Sequence, residues 1–156
     1  MNDQEWLRLA CEKARQGIAA GQSPFGAVIV RGGELVASAH NTVWLDCDPT
    51  AHAEVNAIRQ AAQALQRIEL SGCELFSTCE PCPMCLSAIH WSKIDRVVFA
   101  ATIDDAAAAG FSELRVGAQE LARLGGSTLR VEVAAAREEG RALFELWHQA
   151  GRGRSY

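Results

Sequence analysis

Apolar residues recur along the chain with two periods, one typical of amphipathic helices and the other of β-strands. The first helix is the clearest case, because apolar side chains recur every three or four positions over residues 3–20 and the pattern stops at Gly21. The Gly32-Gly33 pair lies between two short apolar runs and predicts a β-hairpin. Residues 40–49 predict a polar loop, and Thr50 is expected to cap the helix that follows. Over the whole chain the pattern predicts helices at 3–20, 50–66, 83–92, 105–109, 118–124 and 134–150, and strands at 25–30, 34–39, 75–78, 96–102 and 128–133.

This alternation of strands and helices predicts a layered α/β domain with parallel strand pairing after the opening hairpin. No internal repeat, low-complexity tract or linker divides residues 1–156, so we expect a single domain. The hydrophobic fraction of 49% and the charged fraction of 22% are typical of a globular protein and exclude disorder as the main state. No stretch approaches the roughly 20 continuous apolar residues of a transmembrane helix. The N-terminus carries acids early and lacks the apolar core of a signal peptide.

Charge and cysteine content narrow the expected partners and compartment. The net charge of −4 and the isoelectric point near 5.6 disfavour a nucleic acid as the main partner and favour a small neutral ligand. Four of the 6 cysteines crowd into one short region: Cys73, Cys79, Cys82 and Cys85. Without a secretion signal, such a cluster indicates metal binding or catalysis more often than disulfides, so we expect a cytoplasmic protein.

The candidate chemistry lies in two short motifs, His52-Ala53-Glu54 and Pro81-Cys82-Pro83-Met84-Cys85. One imidazole and two thiolates are ligands that Zn²⁺ prefers, and Cys-x-x-Cys is a common zinc spacing. If both motifs begin helices, the two helix N-termini can converge, and their dipoles favour thiolate over thiol. Three protein ligands leave the fourth tetrahedral position for water, which is typical of a catalytic zinc site. Glu54 follows His52 closely enough to take a proton from that water and return it without binding the metal.

Each half of this pattern also has an interpretation without catalysis. A Cys-x-x-Cys pair occurs in structural zinc sites and redox pairs, and the four clustered cysteines could form a closed Cys₄ zinc site. Three of them resemble part of an iron–sulfur run, which here lacks its fourth cysteine at the expected distance. The Cys₄ interpretation leaves His52 and Glu54 without a role, and Cys73 begins a predicted strand, where a buried thiol is ordinary. The two motifs together therefore favour a catalytic zinc site.

The order H-x-E followed by P-C-x-x-C is that of zinc-dependent base deaminases. The chain resembles the cytidine deaminase superfamily and, within it, the small bacterial guanine deaminases, nearly from end to end. The resemblance rests on SPFGAVIV (23–30), HNTV (40–43), DPTAHAEVNAIR (48–59), TCEPCPMCLSAIHW (78–91), DDAAAAGF (104–111) and the terminal Tyr156. Any member of the superfamily shares the two motifs, whereas residues 104–111 and the terminal tyrosine are more specific to the guanine branch. The resemblance implies a three-layer α/β/α cytidine deaminase-like fold around a mixed five-stranded sheet.

The resemblance also implies a role for individual positions. It implies that one Zn²⁺ is bound by His52, Cys82 and Cys85 and that Glu54 and Glu113 are catalytic. It also implies that the substrate is bound by Asn41, Phe25, Ala53, Trp91 and Tyr156. Members often carry Asp at the place of Glu113, so the acid of this chain is one methylene longer. Tyr156 is expected to close the pocket of the partner subunit in a homodimer that exchanges C-terminal segments, about residues 112–156.

Several of these residues have a structural interpretation if the resemblance is set aside. Asn41 could be a turn residue, Phe25 and Trp91 core aromatics, Glu113 a solvated surface acid and Tyr156 a frayed terminus.

The activity implied by the resemblance is hydrolytic deamination of guanine to xanthine and ammonia, a step of purine catabolism. A tRNA adenosine deaminase shares the two motifs, but it would need a positive surface for a polyanion. Deamination of a nucleoside, isoguanine or an aminotriazine is also compatible with the two motifs. A structural zinc module without catalysis would leave the carboxylate of Glu54 without a role. We therefore expect a small purine base as the partner, with no nucleic acid and no membrane.

Overall fold

Five strands form one mixed sheet in the computed structural model, which describes residues 1–151 and 153–156. The strands are β1 (Gly26–Arg31), β2 (Glu34–His40), β3 (Cys73–Cys79), β4 (Arg96–Ala101) and β5 (Arg130–Val133). Their order in the sheet is β2-β1-β3-β4-β5. The expected parallel pairing is confirmed for β3 with β4 and for β4 with β5, whereas β1 pairs antiparallel with both β2 and β3.

Seven helices are present in the described part of the chain. They are α1 (Asp3–Ala19), α2 (Val43–Asp46), α3 (Ala53–Leu65), α4 (Pro83–Trp91), α5 (Ile103–Ala108), α6 (Ala118–Leu124) and α7 (Arg137–Ala150). Helices α1 and α7 pack against each other and on one face of the sheet, while α3, α4 and α6 form the other layer. Because side chains alternate across a strand, Val28 and Val30 of β1 join the core under α1, and Ala27 and Ile29 join the core under α3. The predicted three-layer fold is confirmed. Within the described residues, no helix has the length and apolar character needed to span a membrane.

Several predicted boundaries differ from the structure, and three of these differences have a local reason. The loop predicted over residues 40–49 contains the short helix α2, at whose start the Asn41 side chain accepts a hydrogen bond from the Val43 N–H at 3.0 Å. His52, and not Thr50, occupies the N-cap position of α3, without a side-chain capping hydrogen bond, while the Thr50 hydroxyl donates to Asp48 Oδ1 at 2.7 Å. Helix α7 begins later than predicted, because the Ala134 N–H still donates to the Phe99 carbonyl of β4 at 2.8 Å and continues the sheet.

Arg96 at the start of β4 links the N-terminus of α1 to three strands. Its guanidinium donates to Asp3 of α1 at 2.6 Å, to Glu74 of β3 at 2.7 Å and to Glu132 of β5 at 2.6 Å. The side chain of Arg96 is 14% exposed, whereas each of its partners is more open to solvent. Arg96 therefore holds α1 at the end of the sheet that lies opposite the His52 and Cys82 motifs.

Candidate active site

The two motifs lie where helices α3 and α4 begin. His52 is the N-cap residue of α3, and Cys82 is the N-cap residue of α4, both with extended backbone dihedrals. Pro83 occupies the first turn of α4, where its missing N–H costs nothing, and Cys85 lies within the same turn. The predicted convergence of the two helix N-termini is confirmed, since His52 Nδ1 lies 3.7 Å from Cys82 Sγ and 3.4 Å from Cys85 Sγ.

These distances fit a zinc ion. Zn–S and Zn–N bonds of about 2.3 and 2.05 Å that meet at a tetrahedral angle place sulfur and nitrogen about 3.6 Å apart. The ligand atoms of His52, Cys82 and Cys85 all lie within 4.8 Å of one another. The three side chains can therefore hold one Zn²⁺ per chain without rearrangement of the backbone.

The other two clustered cysteines do not complete a Cys₄ site. Cys73 begins β3 and Cys79 ends it, so they lie roughly 20 Å apart at about 3.3 Å per residue. The buried Cys79 thiol instead donates to the Thr102 carbonyl at 3.5 Å, and burial raises its pKa well above the ordinary value. This geometry favours the His-Cys-Cys ligand set.

The surroundings of Cys82, Cys85 and His52 shift the pKa values of these three side chains. A hydrogen bond from the Cys85 thiol, which outweighs the effect of burial, lowers the pKa of Cys82 to about 4. The hydrogen bond with Cys82 and the burial of the Cys85 thiol both raise the pKa of Cys85. Burial alone lowers the pKa of His52, but the hydrogen bond with Cys82 and the charge of Glu54 together raise it. A metal ion must displace the remaining protons when it binds, as is general for thiolate and imidazole ligands.

Glu54 lies in the first turn of α3, beside the metal ligands, and is 6% exposed. Its Oε1 accepts a hydrogen bond from the Ser77 hydroxyl at 3.0 Å, and its Oε2 lies 3.5 Å from Cys85 Sγ. Burial raises the pKa of Glu54. A carboxyl group with a raised pKa next to an open metal position has the properties of a proton carrier.

A cavity of about 250 Å³ opens from this group of side chains. Its lining includes His52, Glu54, Phe25, Phe111, Glu113 and Tyr156. Phe25 and Phe111 meet edge to face with ring centroids 4.9 Å apart and form an apolar wall. The volume falls below the roughly 300 Å³ at which pockets for drug-sized ligands begin, so the cavity suits a small ring system.

Asn41 is fully buried, and its amide orientation is set by the backbone. Its Oδ1 accepts a hydrogen bond from the Val43 N–H at 3.0 Å, so Nδ2 points the other way and donates to the Tyr156 hydroxyl at 2.7 Å. Asn41 therefore presents a donor, and not an acceptor, on the side of Tyr156.

Glu113 lines the cavity in the irregular segment between α5 and α6. Burial, with the negative charges of Cys82 and Glu54, raises the pKa of Glu113 to about 7. A zinc ion acts in the opposite direction, because it adds positive charge nearby.

The C-terminal residue closes one side of the cavity. The centroid of the Tyr156 ring lies 5.9 Å from that of the His52 ring and 5.7 Å from that of Phe111. A main-chain oxygen of Tyr156 accepts a hydrogen bond from the Ser112 N–H at 2.9 Å. Trp44 of α2 anchors the tail: its Nε1–H donates to the Arg154 carbonyl at 3.0 Å, and the Arg154 guanidinium lies 4.0 Å above its ring.

The structure also places the two remaining predicted substrate-binding residues. Ala53 is the first residue of α3, so its backbone N–H belongs to the amides that have no partner within the helix. Trp91 is 77% exposed at the far end of α4, roughly 12 Å from Pro83 at about 1.5 Å per residue. The structure therefore does not bring Trp91 to the cavity of its own chain.

Sequence reasoning missed two residues that support the site. Ser77, the hydrogen-bond partner of Glu54, lies in β3 next to Thr78, and no signal in the strand's sequence distinguishes the two. Trp44 lies in a segment predicted to be a polar loop, although an aromatic residue in a loop is a signal of a specific contact.

Comparison with known proteins agrees with this geometry. Residues 1–101 match the family described as "Cytidine and deoxycytidylate deaminase zinc-binding region". The chain is 48% identical over 114 residues to a guanine deaminase of Bacillus subtilis, which covers 72% of this chain and 73% of that protein. It is 44% identical over 101 residues to a tRNA-specific adenosine deaminase of Aquifex aeolicus, which covers 65% of this chain and 67% of that protein. The solved structure of a guanine deaminase from Nitrosomonas europaea, 30% identical, matches with a TM-score of 0.85 over 92% of this chain and 83% of that chain. The chain therefore belongs to the cytidine and deoxycytidylate deaminase family.

Proposed function

We propose that the chain is a zinc-dependent guanine deaminase, which hydrolyses guanine to xanthine and ammonia. The observation that carries the proposal is that Glu54 and the His52, Cys82 and Cys85 ligand set share one small, partly aromatic cavity. The identity of 48% with a guanine deaminase supports the choice of substrate.

The reaction adds water to the ring carbon that bears the amino group and then breaks the bond from that carbon to the amino nitrogen. Zinc, when bound, makes a water molecule nucleophilic at neutral pH. Glu54 takes the proton of the attacking water and delivers it to the adjacent ring nitrogen, since its carboxyl group is buried beside the ligands. Ammonia leaves after a second proton transfer, which we assign to Glu54 or Glu113, two of the three acids that line the cavity, the third being Glu80.

We assign recognition of the base to two N–H donors that lie next to residues of the cavity lining, Asn41 in contact with Tyr156 and Ala53 beside His52. Asn41 offers its amide N–H to an acceptor atom of the base, because its oxygen is already used by Val43. The Ala53 N–H at the start of α3 supplies a second donor of the same kind. Two donors suit the carbonyl oxygen of guanine, whereas adenine carries an amino group in that place. Phe25 provides an apolar surface for the ring.

A substrate panel tests the proposal. Zinc-loaded protein is incubated with guanine, isoguanine, an aminotriazine, guanosine, cytidine and tRNA, and ammonia release is measured alongside inosine formation in tRNA. We expect ammonia from guanine with a kcat/KM above that for every other compound. Guanine left intact by the protein would contradict the proposal.

A tRNA adenosine deaminase is the second candidate, because the relative from Aquifex aeolicus is 44% identical. The net charge of −4 is unfavourable for a polyanionic substrate. Inosine formation in tRNA, with no release of ammonia from guanine, would favour this candidate.

We place this activity in purine catabolism in the cytoplasm, where free thiols such as those of Cys82 and Cys85 stay reduced. We further propose that residues 1–156 act as one domain in a homodimer that exchanges about residues 112–156. Residues 111–117 form neither helix nor strand, so this segment can cross between subunits. Because β5 is an edge strand, its exchange leaves the other four strands paired. Exchange of an identical element reproduces the contact of Tyr156 with Asn41 between two chains.

A mixed dimer tests the exchange. A protein lacking residues 152–156 is refolded together with Glu54→Gln protein, and activity is compared with that of each protein alone. With exchanged tails, the intact Glu54 of the truncated subunit receives a tail from its partner, so activity recovers. A tail that acts within its own chain gives no recovery. Full activity of the truncated protein alone would remove any role of the tail.

A further inference from the structure

We propose that Glu80 is a positioning residue, which holds the cavity-lining segment 109–117 and with it Glu113. The half-buried Glu80 follows β3 and precedes the Pro81-Cys82 motif. Its carboxylate accepts two backbone hydrogen bonds, from the Ile103 N–H at 2.9 Å and from the Ala118 N–H at 2.7 Å. The role of Glu113 in this inference rests on the proposed function.

The two donors are the first residues of two different helices. Ile103 begins α5 and Ala118 begins α6, and first-turn amides have no partner within their own helix. The N-cap of α6 is Gly117, which has no side chain to accept a hydrogen bond, and a Cβ there would lie 3.4 Å from Glu80 Oε1. The carboxylate of Glu80 therefore stands where a capping side chain of α6 would otherwise lie.

The segment between these helices carries the far wall of the cavity. Residues 111–117 form neither helix nor strand, and their local backbone hydrogen bonds are short-range turns, from the Glu113 N–H to the Phe111 carbonyl at 3.0 Å and from the Val116 N–H to the Leu114 carbonyl at 2.8 Å. Phe111, Ser112 and Glu113 line the cavity from this segment. The Ser112 N–H also donates a hydrogen bond to a main-chain oxygen of Tyr156 in the tail. The Glu80 carboxylate, next to the metal-binding motif, thus holds α5 and α6, the helices at the two ends of this segment.

The chemistry of these contacts requires a carboxylate. Both partners are N–H donors, and an ionised carboxylate offers an acceptor oxygen to each of them. Glutamine has the same shape, but its NH₂ group would face one of the two N–H groups and lose that hydrogen bond. Charge-assisted hydrogen bonds are also roughly twice as strong as neutral ones. If residues 112–156 are exchanged between subunits, each Glu80 binds Ile103 of its own chain and the partner's Ala118, so each segment is held by one Glu80 at either end.

A double-mutant cycle separates this role from a purely structural one. We compare Glu80→Gln, Glu113→Gln and the double variant for zinc content, thermal unfolding, and kcat and KM with guanine. Misplacement of a reacting group by about 1 Å can cost as much as 10²-fold in rate, so we expect Glu80→Gln to lower kcat roughly 10- to 100-fold with zinc retained. In the Glu113→Gln background the same change should cost less than about threefold, because it acts through Glu113.

Asp105→Asn is the matched control. Asp105 accepts the Thr102 N–H at 2.8 Å and caps the same helix α5, and its ion pairs with Arg137 and Arg141 reach α7 instead of α6. It should lower the unfolding temperature as Glu80→Gln does and leave kcat within about threefold of wild type. Equal losses of kcat in Glu80→Gln and Asp105→Asn, or fully additive losses in the cycle, would overturn the inference.

Amide hydrogen exchange tests the tether in the wild-type holoenzyme, without any variant. The Ile103 and Ala118 amides should exchange at least tenfold more slowly than the amide of Arg137, which begins α7 behind an N-cap that makes no side-chain hydrogen bond. Equal exchange rates would overturn the inference. Wild-type protein that releases no ammonia from guanine would contradict the proposed function instead, and the exchange rates would still decide whether Glu80 holds the segment.

Discussion

Among single residues, Glu54 is the one whose removal separates metal binding from proton transfer. Its carboxyl group is 6% exposed and bonded to Ser77 at 3.0 Å. Glu54→Gln keeps the size of the side chain and the hydrogen bond to Ser77, but it cannot accept a proton. We expect unchanged zinc content by elemental analysis and a fall in turnover of about 10²–10⁴-fold in an ammonia assay. The exposed Glu145 of α7 provides a control, Glu145→Gln, which should behave as wild type. Near-normal turnover of Glu54→Gln would reject the proton-transfer role, and loss of zinc would indicate a ligand instead.

A substitution that changes a single atom of Asn41 tests whether this side chain recognises the base. Asn41→Asp retains the oxygen that accepts the Val43 N–H but replaces the donor that faces Tyr156 with an acceptor. The Tyr156 hydroxyl can rotate and donate to the new carboxylate, so the tail contact survives, whereas a carbonyl oxygen of the base meets a negative charge. We expect kcat/KM for guanine to fall at least tenfold, as a buried polar contact left unpaired costs about 1–3 kcal/mol. Steady-state kinetics with unchanged kcat/KM would exclude Asn41 from recognition.

At the scale of the elements, helix α3 shows what the sequence could predict, which is the helix itself, and what it could not, which is the residue at its N-cap position. The helix predicted at 50–66 is correct in kind, but residue preference alone places its cap at Thr50. His52 is a poor cap by that preference, and it occupies the N-cap position so that its ring can meet Cys82 and Cys85. A local rule therefore failed at the one position where the metal site outweighs local stability.

Helix α2 gives a prediction about the tail, because Trp44 anchors Arg154 in two ways. Trp44→Phe removes the Nε1–H bond of 3.0 Å but keeps a ring under the guanidinium, and Trp44→Ala removes both contacts. We expect kcat/KM to fall a few-fold in Trp44→Phe and further in Trp44→Ala, with cleavage of the tail by trypsin accelerated in the same order. Trp91→Phe is the matched control, since Trp91 is 77% exposed and lies outside the cavity. Equal kinetics in all three variants would show that the anchor does not position Tyr156.

At the scale of the molecule, hydrophobic periodicity was sufficient for a layered α/β domain and for the parallel pairing of β3, β4 and β5, whereas the three layers were implied by the resemblance to the cytidine deaminase superfamily. It could not predict that β1 pairs antiparallel with β3, because α2 and α3 lie between them and strand partners depend on the packing of distant segments. The metal ligands were predictable because each lies in a short motif. The tail anchor and the Glu80 contacts join residues far apart in sequence, so no local pattern contains them.

The stability of the whole molecule should depend on Arg96, which joins α1 to β3 and β5. Hydrogen bonds from Arg96 lower the pKa of Asp3 and of Glu132. A lowered pKa means that each carboxylate stabilises the fold above its ordinary pKa, and that this contribution is lost as the pH falls through the lowered value. Arg96→Met keeps the apolar stem and removes the charge, so we expect a loss of about 2 kcal/mol in the free energy of unfolding at pH 7.

Urea unfolding of zinc-loaded wild type and Arg96→Met between pH 7 and pH 3 measures this contribution. Acid weakens zinc binding in both proteins, so the difference between them isolates Arg96. That difference should stay constant from pH 7 down to about 5 and shrink below the ordinary carboxyl pKa values near 4. Arg123→Met is the control, because Arg123 pairs with the exposed Glu120 of the same helix, and an ion pair on the surface contributes little to stability. A difference that grows towards pH 3, or one no larger than that of Arg123→Met at pH 7, would show that the Arg96 cluster does not hold α1 to the sheet.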